Sequence, residues 1–332
     1  MKRALLAVLF FCAIAGCSPN ANRPSSNGNT VQNTATPSKL EPPPKTSSST
    51  VKTLADARRG FPSKLTSSEF ESAPAEVPPG EVFNLVNYES GVGKLVAYLT
   101  PDPRDGKKHP AIVWVTGGDC NSIGDVWSDA SEDNDQTARA FRDAGLVMLF
   151  PSLRGGNDNP GKRELFFGEL DDVMAAADFV SKLAYVDPKR IYLGGHSTGG
   201  TLVLLAAEYT DRFRAVFSFG PVENVTDYGA PYWPHKNANK TEIELRSPQY
   251  WLAGVKCQTF VFEGSTEGNT SSLRALAKIC TNSSVQFFEV RGATHFTVLA
   301  PVNALIARKL VDDSGPVCNV AFTKKELETL FK

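Results

Sequence analysis

From residue 81 onward, short apolar runs alternate with segments that repeat apolar residues at helical spacing. The apolar runs predict strands at residues 82–88, 94–99, 111–115, 146–150, 191–193, 215–219, 259–262 and 285–290. Helices are expected at residues 137–144, 170–183, 202–209, 272–280 and 300–311. This alternation predicts an α/β fold, with a mostly parallel sheet and helices on both faces. Active residues are then expected at the carboxyl ends of the strands.

The first 16 residues have the pattern of a bacterial signal peptide. Two basic residues precede an apolar run that is too short to span a bilayer comfortably, and the sequence Ile-Ala-Gly-Cys17 resembles a lipobox. We therefore expect an exported protein that is lipidated at Cys17 and anchored to a bacterial membrane. Ser18 favours the outer membrane, facing the periplasm, if the organism is Gram-negative. An ordinary secretory signal or a short anchor is the alternative.

The polar segment that follows separates this signal from the folded part of the chain. Residues 17–50 are rich in Ser, Asn, Thr and Pro, so they predict a disordered tether. Residues 51–80 form a lead-in of uncertain structure, with a few apolar residues that could pack on the domain. Residues 81–332 are long enough for one large α/β domain.

Charge and cysteine content exclude some functions. The chain has 35 basic and 36 acidic residues, and loss of two basic residues with the signal changes the net charge from −1 to 33 − 36 = −3. Without a basic run, no nucleic-acid partner is expected. The sequence has neither a C-x-x-C motif nor a His pair at ligand spacing, so no metal or other cofactor is expected. We predict a disulfide between Cys257 and Cys280, with Cys318 as a competing partner.

Four glycines surround Ser197 in the segment Gly-Gly-His-Ser-Thr-Gly-Gly at residues 194–200. Its G-x-S-x-G pattern follows a predicted strand and precedes a predicted helix, which is the context of a nucleophile elbow. Glycine is costly in regular structure, so this cluster indicates that two backbone segments approach closely. Ser197 is the candidate nucleophile.

Several segments in this order resemble the α/β-hydrolase fold, and within it the prolyl oligopeptidase-type serine hydrolases. The segments are AIVWVTGG (111–118), PSLRGGNDNPG (151–161), ELDDVMAAADFV (169–180), VDPKRIYLGGHSTGG (186–200), RSPQYW (246–251), FVFEGSTEGN (260–269) and GATHFTVL (292–299). The resemblance covers roughly residues 81–312. It implies a Ser-acid-His triad in that chain order.

The resemblance assigns His295, in the loop after the last strand, as the base. It places the acid after the preceding strand in a pattern like Gly-x-x-Asp, where this chain has Glu267. Glu263, at the strand end, is the alternative. We favour Glu267, because a loop residue is expected to approach the imidazole from the side opposite Ser197.

The resemblance also suggests how the site is completed. The oxyanion hole is expected from the N–H groups of Thr198 and Gly118, with Asp119 as the alternative to Gly118. Residues 221–254 form a cap insertion, and its aromatic residues either shape a substrate pocket or pack the insertion onto the domain.

The predicted function is hydrolysis of a small ester or short peptide through an acyl-enzyme. The resemblance points to peptide substrates. Large members of that family, however, carry an N-terminal β-propeller that limits the size of the peptide, whereas a tether and a short lead-in precede the domain here. We therefore favour an esterase, with a dipeptidyl- or oligopeptidase-like enzyme as the alternative. A binding lipoprotein that uses the same scaffold without catalysis is the alternative of another class.

Overall fold

The predicted strands form one eight-stranded sheet. The computed structural model describes residues 53–70 and 72–332. The strands are β1 (Asn84–Ser90), β2 (Gly93–Leu99), β3 (His109–Val115), β4 (Val147–Pro151), β5 (Val186–His196), β6 (Ala215–Phe219), β7 (Gln258–Gly264) and β8 (Val285–Val290). They lie in the order β1-β2-β4-β3-β5-β6-β7-β8. The β1–β2 and β2–β4 pairs are antiparallel and the other five pairs are parallel, which confirms the mostly parallel sheet.

Helices cover both faces of this sheet, also as predicted. They are α1 (Leu54–Arg58), α2 (Arg139–Asp143), α3 (Gly168–Ser181), α4 (Thr198–Tyr209), α5 (Lys240–Glu244), α6 (Thr270–Ile279), α7 (Leu299–Asp312) and α8 (Lys324–Glu328). Strand β3 shows how two cores arise. Val113 and Val115 pack in the core with α1, α3, α4 and α6, whereas Ile112 and Trp114 pack in the core with α2, α7 and α8.

The lead-in segment packs against the α/β domain. The Arg58 guanidinium donates to the Phe167 carbonyl oxygen at 2.6 Å and to Asp171 at 2.8 Å. The described residues belong to one compact unit. The predicted signal peptide, Cys17 and the tether lie outside the described residues. Within residues 53–70 and 72–332, no helix is long and apolar enough to span a bilayer, and no cluster of His, Cys, Asp and Glu could hold a metal ion.

The predicted disulfide is wrong, because Cys257 and Cys280 are free thiols. The Cys257 sulfur faces the Thr259 hydroxyl of its own strand at 3.7 Å, and the Cys280 sulfur faces the Asn282 carbonyl oxygen at 3.6 Å. Burial raises the pKa of both thiols, so they are protonated at neutral pH. Cys318, the predicted competitor, is also free and packs against the core of the opposite sheet face.

The cap insertion, residues 221–254, consists of α5 and short 3₁₀ turns that follow β6. Trp233 and Trp251 are buried and pack the insertion onto the domain. The Tyr228 hydroxyl lies 2.8 Å from the Thr201 hydroxyl on α4. Most of the cap aromatics therefore have a packing role, and Tyr232 is the one that borders the pocket described below.

Candidate active site

The glycines around Ser197 allow backbone segments to pass in close contact. A Cβ added to Gly199 would lie 2.3 Å from the Val115 carbonyl oxygen, and one added to Gly200 would lie 2.2 Å from the Phe219 carbonyl oxygen. Both distances are far below van der Waals contact. The glycine cluster therefore has the steric cause that the sequence predicted.

Ser197 stands at the junction of β5 and α4 in a strained conformation. Its φ of 56° and ψ of −115° are uncommon for a residue with a side chain. Its N–H donates to the Phe219 carbonyl oxygen at 2.7 Å, and its own carbonyl oxygen accepts from the Thr201 N–H at 2.9 Å. These bonds hold a sharp strand-to-helix turn, which is the geometry of a nucleophile elbow.

His295 lies in the loop after β8 and is paired with a buried carboxylate. Its Nδ1 is 2.8 Å from Oε2 of Glu263, which is fully buried near the end of β7. The same carboxylate accepts from the N–H groups of Gly264 at 2.7 Å and Asn269 at 3.2 Å. These three donors compensate the cost of burying the carboxylate. With Nδ1–H donating to Glu263, Nε2 of His295 is left to accept a proton.

Two glycines hold the His295 ring in place. A Cβ added to Gly220 would lie 2.4 Å from Cε1 of the ring, and one added to Gly268 would lie 2.5 Å from the His295 Cβ. The backbone therefore approaches this side chain closely at two points. The imidazole has little freedom to turn away from Glu263.

Glu267, the acid that we favoured from the sequence, does not contact His295. Its side chain is exposed, and its φ is 65°. The loop does reach His295, but through the backbone of Gly268. The His295 loop folds back over the end of β7, and this brings Nδ1 to the carboxylate at the strand end. The structure therefore places Glu263, the sequence alternative, at the acid position.

His196 connects the elbow to the His295 loop, a connection that the sequence analysis missed. Its Nε2 donates to the His295 carbonyl oxygen at 3.0 Å, and its Nδ1 accepts from the Gln136 side-chain amide at 2.9 Å. Burial, with His295 as a second cause, holds the pKa of His196 well below its usual range. The ring is therefore neutral, and its two nitrogens have fixed donor and acceptor roles. Its position inside the G-x-S-x-G motif was the only signal in the sequence.

The predicted oxyanion donors lie on the two loops that meet beside Ser197. The Thr198 hydroxyl donates to the Gly118 carbonyl oxygen at 2.8 Å, which ties the first turn of α4 to the loop after β3. Gly118 has a φ of 72°. Among the described residues, the N–H groups of Gly118, Asp119 and Thr198 donate no hydrogen bond. They are thus available to an anionic oxygen, and Gly118 and Asp119 are both candidates for the second donor beside Thr198.

A pocket with mostly apolar walls begins at Gly118 and Thr198. It is lined by Ser67, Phe70, Gly118, Asp119, Cys120, Asn121, Arg163, Leu165, Phe166, Thr198 and Tyr232. Asp119 and Arg163 are its charged residues, and they form an ion pair in which Nη2 lies 3.0 Å from Oδ2. The pair neutralises itself, so the pocket presents no uncompensated charge. Burial raises the pKa of the Cys120 thiol, which is therefore protonated.

Comparison with known proteins finds similarity over the part of the chain that contains the elbow. Residues 133–270 match the prolyl oligopeptidase family, a stretch that includes Ser197, Glu263 and Glu267 and ends before His295. Dipeptidyl-peptidase 5 of Porphyromonas gingivalis is 25% identical over 201 residues, which are 54% of this chain and 28% of that relative. The chain thus spans less than a third of that relative's length.

Solved structures share the fold at low sequence identity. The Pyrococcus horikoshii acylaminoacyl peptidase superposes with a TM-score of 0.55 at 16% identity, over 75% of this chain and 44% of its own. The Pyrobaculum calidifontis esterase superposes with a TM-score of 0.52 at 18% identity, over 70% of this chain and 86% of its own. The chain therefore has the α/β-hydrolase fold, and its residues 133–270 match the prolyl oligopeptidase family.

Proposed function

We propose that the protein hydrolyses carboxylic esters through an acyl-enzyme on Ser197. The observation that carries this proposal is the buried pair of Glu263 and His295, which His196 bonds to the strained elbow of Ser197. In this proposal Ser197 is the nucleophile, His295 is the base and Glu263 orients the base. Thr198 and either Gly118 or Asp119 supply the oxyanion donors.

The proposed reaction proceeds in two halves. His295 Nε2 takes the Ser197 hydroxyl proton as Oγ bonds to the ester carbon, and the oxyanion forms against the backbone N–H groups. The bond from carbon to the leaving oxygen then breaks, and His295 gives its proton to the departing alcohol. A water molecule repeats the sequence on the acyl-enzyme, which releases the acid and restores Ser197. In the described part of the chain Ser197 Oγ has no hydrogen-bond partner, and such contacts often tighten only when substrate binds.

The pocket supports an ester with an apolar acyl group more than a peptide with a free amino terminus. A substrate α-amino group would carry a positive charge, and its burial requires a partner carboxylate. Asp119 is the carboxylate among the pocket residues, and it is already bonded to Arg163. An uncharged acyl group needs no such partner.

A peptidase is the second candidate function, and the comparisons favour it. The matched family is named for an oligopeptidase, and the P. gingivalis relative is named a dipeptidyl-peptidase. Ester bonds and peptide bonds would be cleaved by the same acyl-enzyme chemistry. The two functions therefore differ in substrate recognition and not in the proposed catalytic residues.

The experiment is a comparison of kcat/KM for p-nitrophenyl esters and for dipeptidyl p-nitroanilides, with Ser197→Ala as the control. We expect turnover of the esters, little turnover of the anilides and neither reaction in the variant. Efficient cleavage of the anilides with weak cleavage of the esters would replace the esterase proposal with the peptidase. Ester turnover that survives in Ser197→Ala would overturn the acyl-enzyme itself.

We also propose export and lipid anchoring through Cys17, which rests on the signal-peptide pattern of residues 1–17. Lipidation of Cys17 would transfer the protein into the detergent phase of a Triton X-114 extraction. Cys17→Ala is expected to stay in the aqueous phase. Equal detergent partitioning of the two proteins would exclude Cys17 as the anchor.

A further inference from the structure

The described part of the lead-in segment continues beyond Arg58 to the mouth of the pocket. The Ser67 N–H donates to the Arg163 carbonyl oxygen at 3.0 Å, and the two residues form an antiparallel bridge. Further along the chain, the Tyr98 hydroxyl donates to the Glu76 carbonyl oxygen at 2.9 Å. The segment is therefore attached to the domain at points before and after Phe70 in the chain.

Between these attachments, Phe70 of the lead-in segment lines the pocket. Its ring centroid lies 5.3 Å from that of Tyr232 in the cap insertion. The Arg163 guanidinium lies over the same ring, 5.2 Å from its centroid, and is fixed by its ion pair with Asp119. The cation–π and aromatic contacts hold Phe70 between the cap and the loop that carries Arg163. One wall of the pocket thus comes from outside the α/β core.

The position of His295 indicates which part of the substrate this wall would contact. A substrate carbonyl oxygen held by Thr198 and Gly118 leaves two substituents on the carbonyl carbon. The leaving group has to lie beside His295, because that residue protonates it. The pocket includes Thr198 and Gly118 but not His295. The pocket is therefore on the acyl side.

The space beside Phe70 is small. The cavity volume of the pocket is about 30 Å³, well below the roughly 300–1,000 Å³ of pockets that take drug-sized ligands. We propose that Phe70 closes the far end of the acyl pocket and restricts the enzyme to short acyl groups. This inference rests on the proposed function of Ser197. It makes the lead-in segment a determinant of substrate size.

The test is the ratio of kcat/KM for p-nitrophenyl octanoate to that for p-nitrophenyl acetate, measured on the full chain. Wild type is expected to favour acetate. Phe70→Ala should raise the ratio by about tenfold or more, since a few methylenes of extra pocket depth give discrimination of this size. Phe70→Leu should raise it less. The leucine variant also keeps an apolar contact with Tyr232, so it tests the inference even if the alanine variant unfolds.

Phe61→Ala is the matched control. Phe61 lies in the same segment and packs on Phe167, with ring centroids 6.1 Å apart, but it does not line the pocket. The control is expected to keep the wild-type ratio. A ratio that Phe70→Ala and Phe70→Leu leave unchanged would overturn the inference, as would an equal rise in Phe61→Ala.

Labelling by a fluorophosphonate separates this failure from failure of the proposed function. The probe reports on Ser197 reactivity and does not depend on acyl-chain length. A labelled wild type with an unchanged ratio overturns only the role of Phe70. A wild type that is neither labelled nor active on acetate overturns the proposed function, and the role of Phe70 with it.

Discussion

The buried carboxylate of Glu263 orients the His295 ring through its contact with Nδ1. The carboxylate accepts from His295 Nδ1 and from two backbone N–H groups. The sequence placed Ser197 and His295 by motif and by chain order, and both lie where these signals indicate. It could not decide between Glu263 and Glu267, which are four positions apart. That choice depends on how the His295 loop folds back over β7, which is a tertiary effect without a local sequence pattern.

Substitution of the two glutamates tests this assignment. Glu263→Gln should lower kcat by about 10³- to 10⁴-fold, because an amide no longer fixes the Nδ1–H tautomer or stabilises the imidazolium. Glu267→Gln is the matched control and should stay within about twofold of wild type, since its side chain is exposed. The measurement is kcat on p-nitrophenyl acetate, with unfolding midpoints recorded for both variants. A larger loss in Glu267→Gln would restore the assignment first made from the sequence.

At the scale of elements, the sequence predicted the strands and the elbow because their signals are local. Apolar runs mark buried parallel strands, and glycines 199 and 200 mark the point where α4 meets neighbouring carbonyl groups. The lead-in segment has no such periodicity, so the position of Phe70 could not be predicted. The disulfide prediction failed for a similar reason. Cys257 and Cys280 were expected near the same edge of the sheet, but such a position does not determine the direction in which their side chains point.

The C-terminal end of α7 is tied to the sheet by Asp313. The Arg214 guanidinium donates to both carboxylate oxygens, and the Tyr192 hydroxyl donates to one of them at 2.7 Å. Burial raises the pKa of Asp313, but the hydrogen bonds from Arg214 and Tyr192 outweigh it and lower the pKa to about 2. A carboxylate with a lowered pKa stabilises the fold above its unfolded pKa of about 4.

We therefore expect Asp313→Asn to lower the free energy of unfolding at pH 7. The difference from wild type should shrink as the pH falls from about 4 towards about 2, because the native carboxylate then becomes protonated. Urea unfolding at pH 7, 5 and 3 measures this difference. Asp312→Asn is the control, since Asp312 is exposed and adjacent. A difference that does not vary with pH, or an equal effect of Asp312→Asn, would contradict this role.

At the scale of the whole molecule, the proposed site draws on distant parts of the chain. The loops after β3, β5 and β8 and the end of β7 supply the candidate catalytic groups, as expected for the carboxyl edge of a parallel sheet. The cap insertion and the lead-in segment supply Tyr232 and Phe70. The position of the candidate catalytic groups follows from the order of strands and helices in the sequence. The position of Tyr232 and Phe70 depends on how surface segments pack, and only the structure reveals it.

The most direct test of the account is to identify the residue that a fluorophosphonate modifies in the folded, full-length protein. Peptide mass spectrometry after labelling should find one phosphonate adduct, on the peptide that contains Ser197, and none in Ser197→Ala. A strained elbow serine beside the Glu263–His295 pair is expected to react, whereas ordinary serines do not. An unlabelled wild type, or an adduct on another serine that persists in Ser197→Ala, would contradict the central claim that Ser197 is the nucleophile.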